Sequence, residues 1–396
     1  MANLLDRASV VLTPTAYNNG EALCIKPDDG SGDFDFSRNS AATRVNSQGL
    51  IETIGVNLPR INYENGCGHY LFEPQSTNLI TQSELFSDSS WVKLGAGTAS
   101  AAIVTSDYAI SPDGTQNASR LQCDLNGGGG SVSNQSLIYN LYTSSGNQSL
   151  SIYVKSNTGL NQTIYFTNSQ TSGNTITVTN EWQRFEFNHI TATYVFAIGL
   201  IGRNGGAIDD TADILIWGAQ VEQQSYATSY IPTNGSQVTR NQDVCTNGGS
   251  LATINSTEGV LYAEIAALDV DSLGRYITIN DSVLNSNAIR IFYQSSTTVF
   301  FQKYVNGVRT TNLATSSITK TDFNKIAIKY NSTDVSVFVN GVNILNNADT
   351  NVFAPNTLNV LEFENVIQNP FYGKTKALAV WKEALSDEEL TELTTI

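Results

Sequence analysis

Positive charge is scarce in this chain: its 396 residues hold 21 Lys and Arg against 36 Asp and Glu, a formal net charge of −15. A protein that grips a phosphate backbone needs a basic footprint, so nucleic acid is not an expected partner. Anionic lipid headgroups are disfavoured for the same reason. An acidic shell suits a soluble protein in a crowded assembly. Charge of either sign is thin, at 14% against the usual quarter. One Met and two His, His69 and His189, leave little equipment for metal or acid–base chemistry. The four cysteines, Cys24, Cys67, Cys123 and Cys245, are far apart and form no CxxC pair. They read as free thiols of a protein assembled in a reducing cytosol. Long apolar runs are missing too. The opening MANLLDRASVVLTPTAY places Asp6 and Arg7 straight after Leu4 and Leu5, which leaves no signal-peptide core. No stretch approaches membrane-spanning length, so membrane insertion is not expected.

What fills the chain is Asn, Ser, Thr and Gly between short apolar runs, the composition of turns and polar strand faces. The length allows roughly two to four domains, each with a core of its own. Three units are expected. Residues 1–85 hold short strands such as Ser9–Thr13 and Phe34–Ser37 among turn-rich loops, a unit too thin to stand comfortably alone. Residues 86–244 hold strand candidates including Leu137–Leu141, Leu150–Lys155, Trp182–Phe187 and Ile214–Trp217, spaced as in an all-β sandwich. Gly218 is read as ending the last of these. Residues 245–396 hold seven more, with Asn306-Gly307 and Asn340-Gly341 between β-rich runs, a strong short-range hairpin signal. Near the end, Ser386 with Glu389 three residues on makes a capping box, and Asp387 and Glu388 favour a helix N-terminus. That short C-terminal helix is the only one expected in an otherwise all-β protein of tandem β-sandwiches.

The passage WGAQVEQQSYATSYIPTNGSQVTRNQDV, Trp217 to Val244, carries aromatics, a proline and an Asn-Gly turn, as an ordered junction between β domains would. It resembles the junction of bacteriophage virion proteins of the head-spike, head-fibre or lectin-like type. In these a galactose-binding-like jelly roll precedes a concanavalin A-like (laminin-G-like) sandwich. Blocks Asp35 to Glu52 and Asn57 to Ile80 are similar to the openings of the same proteins. Asp334 to Gly341 and Ala379 to Leu390 resemble the hairpin and the ending of the lectin fold. The resemblance implies a structural protein on a virion surface, assembled in the host cytoplasm and anchored to capsid or tail proteins through residues 1–85. It also implies a homo-oligomer, with a trimer favoured, whose outward sandwiches meet cell-surface glycans through many weak contacts.

Three sets of residues could carry binding or chemistry. Asp28, Asp29, Asp33 and Asp35, and separately Asp209, Asp210 and Asp213, supply clustered oxygens of the kind calcium takes. Neither cluster follows the EF-hand pattern, and aspartate is common in turns, so no cofactor is required and calcium is the one that could be held. Among aromatics, Trp182, Trp217 and Trp381 fall on expected core strands and read as packing, while Tyr226, Tyr230 and Tyr372 are the candidates for exposed glycan contact. Glu362 and Glu364, two apart on a strand, share a face at roughly 7 Å. A retaining glycosidase needs a carboxyl pair at about 5–5.5 Å, but the E-x-D-x-E array of concanavalin-fold glucanases is absent, and the two read as solvated side chains. His69 reads as a turn residue, and no nucleophile motif accompanies either histidine. The expectation is a non-enzymatic protein. The rival readings are a capsule or polysaccharide depolymerase, and a capsid decoration or adaptor with no glycan ligand.

Overall fold

The computed structural model describes residues 2–131, 133–167, 174–191, 194–202, 209–269, 274–294, 298–316, 318–366 and 368–396. Strand accounts for 53% and helix for 3%, so the protein is all-β, as its alternating pattern indicates. The expected C-terminal helix is Asp387–Thr394. The Ser386 hydroxyl accepts from the Glu389 N–H at 3.2 Å, and the Glu389 carboxylate accepts from the Ser386 N–H at 2.8 Å. A second helix, Ala2–Arg7, was not expected. Six residues are too few to show a helical period. Packing holds it: Leu4 joins Val11, Trp381 and Leu390 in one apolar cluster, and the Trp381 indole N–H donates to the Leu4 carbonyl at 2.8 Å.

The chain forms two compact units where three were expected. Unit one comprises Met1–Ala41, Ile54–Pro74 and Asn241–Ile396, and unit two comprises Ala42–Thr53 and Gln75–Arg240. The proposed boundary at residue 85 fails because the N-terminal strands have no separate core. Val10–Asn18 pairs with Gly373–Trp381, setting Val10 opposite Val380. Cys67–Phe72 pairs with the far end of that strand, Phe72 opposite Gly373. Val10, Leu12, Phe34, Phe36, Tyr70 and Phe72 accordingly share one apolar cluster with Leu261, Ile277, Ile328 and Val380.

Unit one has two sheets. The larger has eleven strands, and its main path ends in Gly373–Trp381, Gly259–Ala267, Asn324–Tyr330, Asp334–Val339 and the edge strand Val342–Ala348. The smaller runs Val308–Thr315, Thr298–Val305, Ala288–Gln294, Arg275–Asn280, Val360–Glu362. Ile277, Ile289, Ile291, Val299 and Phe301 from the smaller sheet meet Leu261, Ile326 and Val337 from the larger in the shared core. Both expected Asn-Gly hairpins form, with φ of 49° and 81° at Asn306 and Gly307, and 50° and 81° at Asn340 and Gly341. Two consecutive positive φ values are what the twist-matched two-residue turn requires. The segments of unit one are also joined by charge. Arg38 donates to Asp243 at 3.1 Å, Arg60 donates to Glu73 at 2.7 Å and to Asp243, and the Arg38, Arg60 and Asp243 side chains are fully buried. Removing one partner from such a cluster leaves an uncompensated buried charge.

Unit two is built on two five-stranded sheets with Leu121, Ile138, Ile152, Ile164, Phe196 and Ile214 in the core between them. Its longest strand, Thr211–Glu222, corrects the sequence reading of Gly218. The strand continues through that residue as a bulge: Ser151 lies opposite Gln220 and Tyr153 opposite Trp217. Gly218 has φ of 67°, and a Cβ there would meet the Tyr153 ring at 3.2 Å and the Tyr230 ring at 3.3 Å. All four cysteines are thiols: Cys24, Cys123 and Cys245 are buried and Cys67 is exposed. Burial pushes the Cys123 thiol up to about 12.

Candidate functional site

A sheet with one face in a core presents the alternate side chains on the other. In the smaller sheet of unit one, Ile277, Ile279, Ile289, Ile291, Val299 and Phe301 face the core. Their neighbours Tyr276, Thr278, Asn280, Arg290, Phe292, Phe300, Gln302 and Tyr304 therefore share the outer face, where water-facing side chains would ordinarily be small and polar. Cross-strand register sorts them into rows. Tyr276 lies opposite Phe292, and Phe292 opposite Phe300. Their rings stack nearly parallel, with centroids 4.3 and 4.9 Å apart and planes 12° and 10° from each other. Beside this ladder runs a polar row in which Glu362 faces Thr278, Thr278 faces Arg290, Arg290 faces Gln302, and Gln302 faces Asn312.

The polar row is held by its own hydrogen bonds. The Asn280 amide donates to Glu362 at 2.9 Å, the Thr278 hydroxyl to the Glu364 carbonyl at 2.8 Å, and the Gln302 amide to Asn312 at 2.8 Å. Arg290 donates to the Asn285 side-chain oxygen at 2.8 Å and lies over the Tyr304 ring, 4.4 Å from its centroid. Burial raises the Glu362 carboxyl above its ordinary value, partly offset by the Asn280 donor, and burial likewise lowers Arg290. Thr278, Asn280, Arg290, Phe292 and Gln302 are buried, Tyr276, Phe300 and Tyr304 are half-buried, and Asn312 is exposed, so the last four are what a ligand would meet. The face thus joins flat apolar rings to fixed amides, a hydroxyl and a guanidinium, the mix that positions a polyhydroxylated ring against a protein. No sequence period distinguishes this face from a core face, because its aromatics alternate with isoleucines of similar bulk.

The candidates named from sequence fall elsewhere. Tyr226, Tyr230 and Tyr372 are 8%, 3% and 6% exposed, so none is the open glycan contact expected of it. The Tyr230 and Tyr372 hydroxyls both have internal partners. Tyr230 donates to Glu84 at 2.8 Å and packs on Trp217 with centroids 4.5 Å apart, while Tyr372 donates to Gln242 at 2.7 Å beneath the Arg275 guanidinium. Trp217 and Trp381 are buried as expected, Trp91 is buried as well, and Trp182 is only partly covered. Glu362 and Glu364 are 7% and 6% exposed, which overturns their reading as solvated side chains. His69 is not in a turn. It lies on Cys67–Phe72 with no exposure, its Nε2 3.3 Å from the Asn62 amide, and burial lowers its pKa to about 4. His189 lies on Gln183–Thr191, its side chain outside the described residues.

The aspartates divide between the two units. In unit one, Asp29 accepts from Ser31, Asp33 accepts from the Cys24 N–H at 2.6 Å, and Asp28 and Asp35 are turned to the surface. In unit two, Asp209, Asp210 and Asp213 do converge, with Asp124, on an open cleft of about 680 Å³. There Asp209 accepts from the Thr163 N–H, Asp210 from the Gly127 N–H, and Asp213 from Arg120 and Asn157. The bond to Arg120 holds the Asp213 carboxyl below its ordinary value. Among the described residues, no group of three or more His, Cys, Asp or Glu side chains is placed to hold a metal ion.

Two solved structures are among those to which part of the chain is similar. The CBM40 of Ruminococcus gnavus IT-sialidase, bound to α2,3-sialyllactose, is 14% identical with a TM-score of 0.32, over 38% of this chain and 93% of that one. Domain 4 of AbnA, a GH43 extracellular arabinanase from Geobacillus stearothermophilus in complex with arabinotriose, is 12% identical with a TM-score of 0.32, over 43% and 84%. No curated protein matches the chain. Residues 265–391, all within unit one, match the family model of the concanavalin A-like lectin/glucanases superfamily.

Proposed function

We propose that this is a non-enzymatic recognition protein of a bacteriophage particle, a head fibre, spike or tail appendage, that binds surface glycans through the outer face of the smaller sheet. The observation that carries the binding reading is the composition of that face. An aromatic ladder lies alongside a row of immobilised polar groups within the segment that matches a lectin and glucanase superfamily. Groups already held by internal hydrogen bonds lose little further entropy when a sugar arrives. Single-site affinity is weak where only Tyr276, Phe300, Tyr304 and Asn312 reach solvent, and many copies on one particle would make it effective. The particle assignment is supported by the resemblance of the Asp35–Glu52, Asn57–Ile80 and Trp217–Val244 blocks to virion proteins.

A glycan array probed with the multivalently displayed protein tests the binding, with Tyr276→Ala and Asn312→Ala as controls. Retention of a defined glycan class, and its loss in both variants, is expected. Silence across the array, or binding that both variants keep, overturns the reading. Release of reducing sugar from a retained glycan would replace it with a depolymerase.

A further inference from the structure

We infer that unit two carries a pocket of its own for a small neutral polyol, about one sugar ring in size, taken up free or as the end residue of a glycan. The pocket, of about 410 Å³, is bordered by Gln82, Glu84, Asn117, Ser119, Thr233 and Asn234 among others. All of these belong to unit two, whereas the aromatic face of the smaller sheet belongs to unit one. The volume lies in the range of roughly 300–1,000 Å³ usual for small-molecule sites.

The lining is held in place before any ligand arrives. Thr233 is clamped to Ser83: its N–H donates to the Ser83 hydroxyl at 2.8 Å, and its carbonyl accepts from the Ser83 N–H at 3.3 Å. Ser119 stands on strand Ala118–Asp124, opposite Ile216. Glu84 has both carboxylate oxygens engaged, one by the Tyr230 hydroxyl at 2.8 Å and the other by the Asn117 amide at 3.2 Å. That amide also donates to Asp113 at 3.1 Å. Two carboxylates on one side fix which way the Asn117 amide faces, because a flipped amide would turn its oxygen on them.

The groups left over select the ligand. The Asn117 Oδ1, the Ser119 Oγ and the Thr233 Oγ1 are buried and make no hydrogen bond among the described residues. Ser119 and Thr233 are only 1% and 6% exposed. A buried polar atom without a partner costs stability, and here three residues carrying one border the same pocket. The larger cleft beside Asp209 and Asp210 is bordered by none. All three leftover groups are uncharged; the amide oxygen accepts, and the two hydroxyls donate or accept. Asn117 and Ser119 are two residues apart, a spacing of roughly 7 Å in an extended chain, which a ring with hydroxyls at both ends spans. No Lys, Arg or His borders the pocket, so an anion would meet carboxylates and no cation. The Glu84 carboxylate, already served by two donors, has little to offer a positively charged ligand.

Saturation-transfer NMR titrations of the full chain with myo-inositol, glucose and methyl glucoside test this, alongside thermal unfolding of Ser119→Ala and Thr233→Val. At least one probe is expected to bind the wild type, and each variant to weaken that binding about three- to tenfold. Without probe, both variants should be as stable as the wild type or more so, because each removes a polar atom that had no partner. Tyr276→Ala, in unit one, should bind the probe as the wild type does, which separates this pocket from the aromatic face. Methyl glucoside bound as well as glucose identifies the end of a glycan, and inositol or glucose bound alone identifies a free polyol; either upholds the pocket. Failure of every probe to bind, binding that both variants keep in full, or a probe-free protein destabilised by both substitutions overturns the inference.

Discussion

At the scale of single residues, hydroxyl and imidazole groups show why composition alone misread which side chains are exposed. Tyr230 and Tyr372 sit in loop-like sequence, yet each finds an internal acceptor, Glu84 and Gln242, and a tyrosine with a buried partner gains by being covered. Nothing in a linear sequence says that Glu84 waits for Tyr230 146 residues on. His69 has a consequence in solution. Its folded pKa of about 4 is below the ordinary 6.5 because burial opposes the charged ring. Below pH 6.5 the unfolded chain therefore takes up a proton that the folded chain refuses, and stability falls as pH drops from 6.5 towards 4. The slope from this one group is at most about 1.4 kcal/mol per pH unit. Urea unfolding across that window should show it, and His69→Asn should flatten it. An unchanged slope in the variant would mean that other groups produce it.

Among elements, those specified by neighbouring residues were legible and those specified by distant ones were not. The Asn306-Gly307 and Asn340-Gly341 turns and the Ser386–Glu389 capping box lie within a few residues, and all three form as their chemistry requires. Gly218 shows the limit. A glycine after an apolar run signals a strand end as well as a bulge, and the choice between them is made by Tyr153 and Tyr230, whose rings close over the spot. Valine there would combine a disfavoured φ with two close ring contacts. Gly218→Val should lower the stability of unit two by roughly 2–4 kcal/mol, seen as a lower thermal midpoint in near-ultraviolet dichroism. A midpoint equal to wild type would show that the bulge relaxes freely. The candidate glycan face was illegible for a related reason: Phe292 and Ile291 look alike in sequence, and only register decides which one faces the core.

Across the whole molecule, the all-β class followed from pattern, but the partition of the chain did not. Residues 245–396 look like a complete lectin-type domain, yet their larger sheet also takes Val10–Asn18, Glu21–Lys26, Phe34–Ser37 and Cys67–Phe72, strands that carry Val10, Phe34 and Phe72 into the core. A fragment of residues 245–396 should therefore be insoluble or lack fixed near-ultraviolet dichroism, whereas the full chain should show both solubility and signal. A soluble, cooperatively melting fragment would show that the added strands are dispensable. The interleaving also imposes a timetable on synthesis. Ser9 bonds to the carbonyl of Val380, 371 residues later, and a ribosome adding about 5–20 residues per second needs some 20–70 seconds to deliver that partner. Residues 75–240 of unit two are made in between, so Val10–Asn18 leaves the tunnel well before the strand that holds it in place.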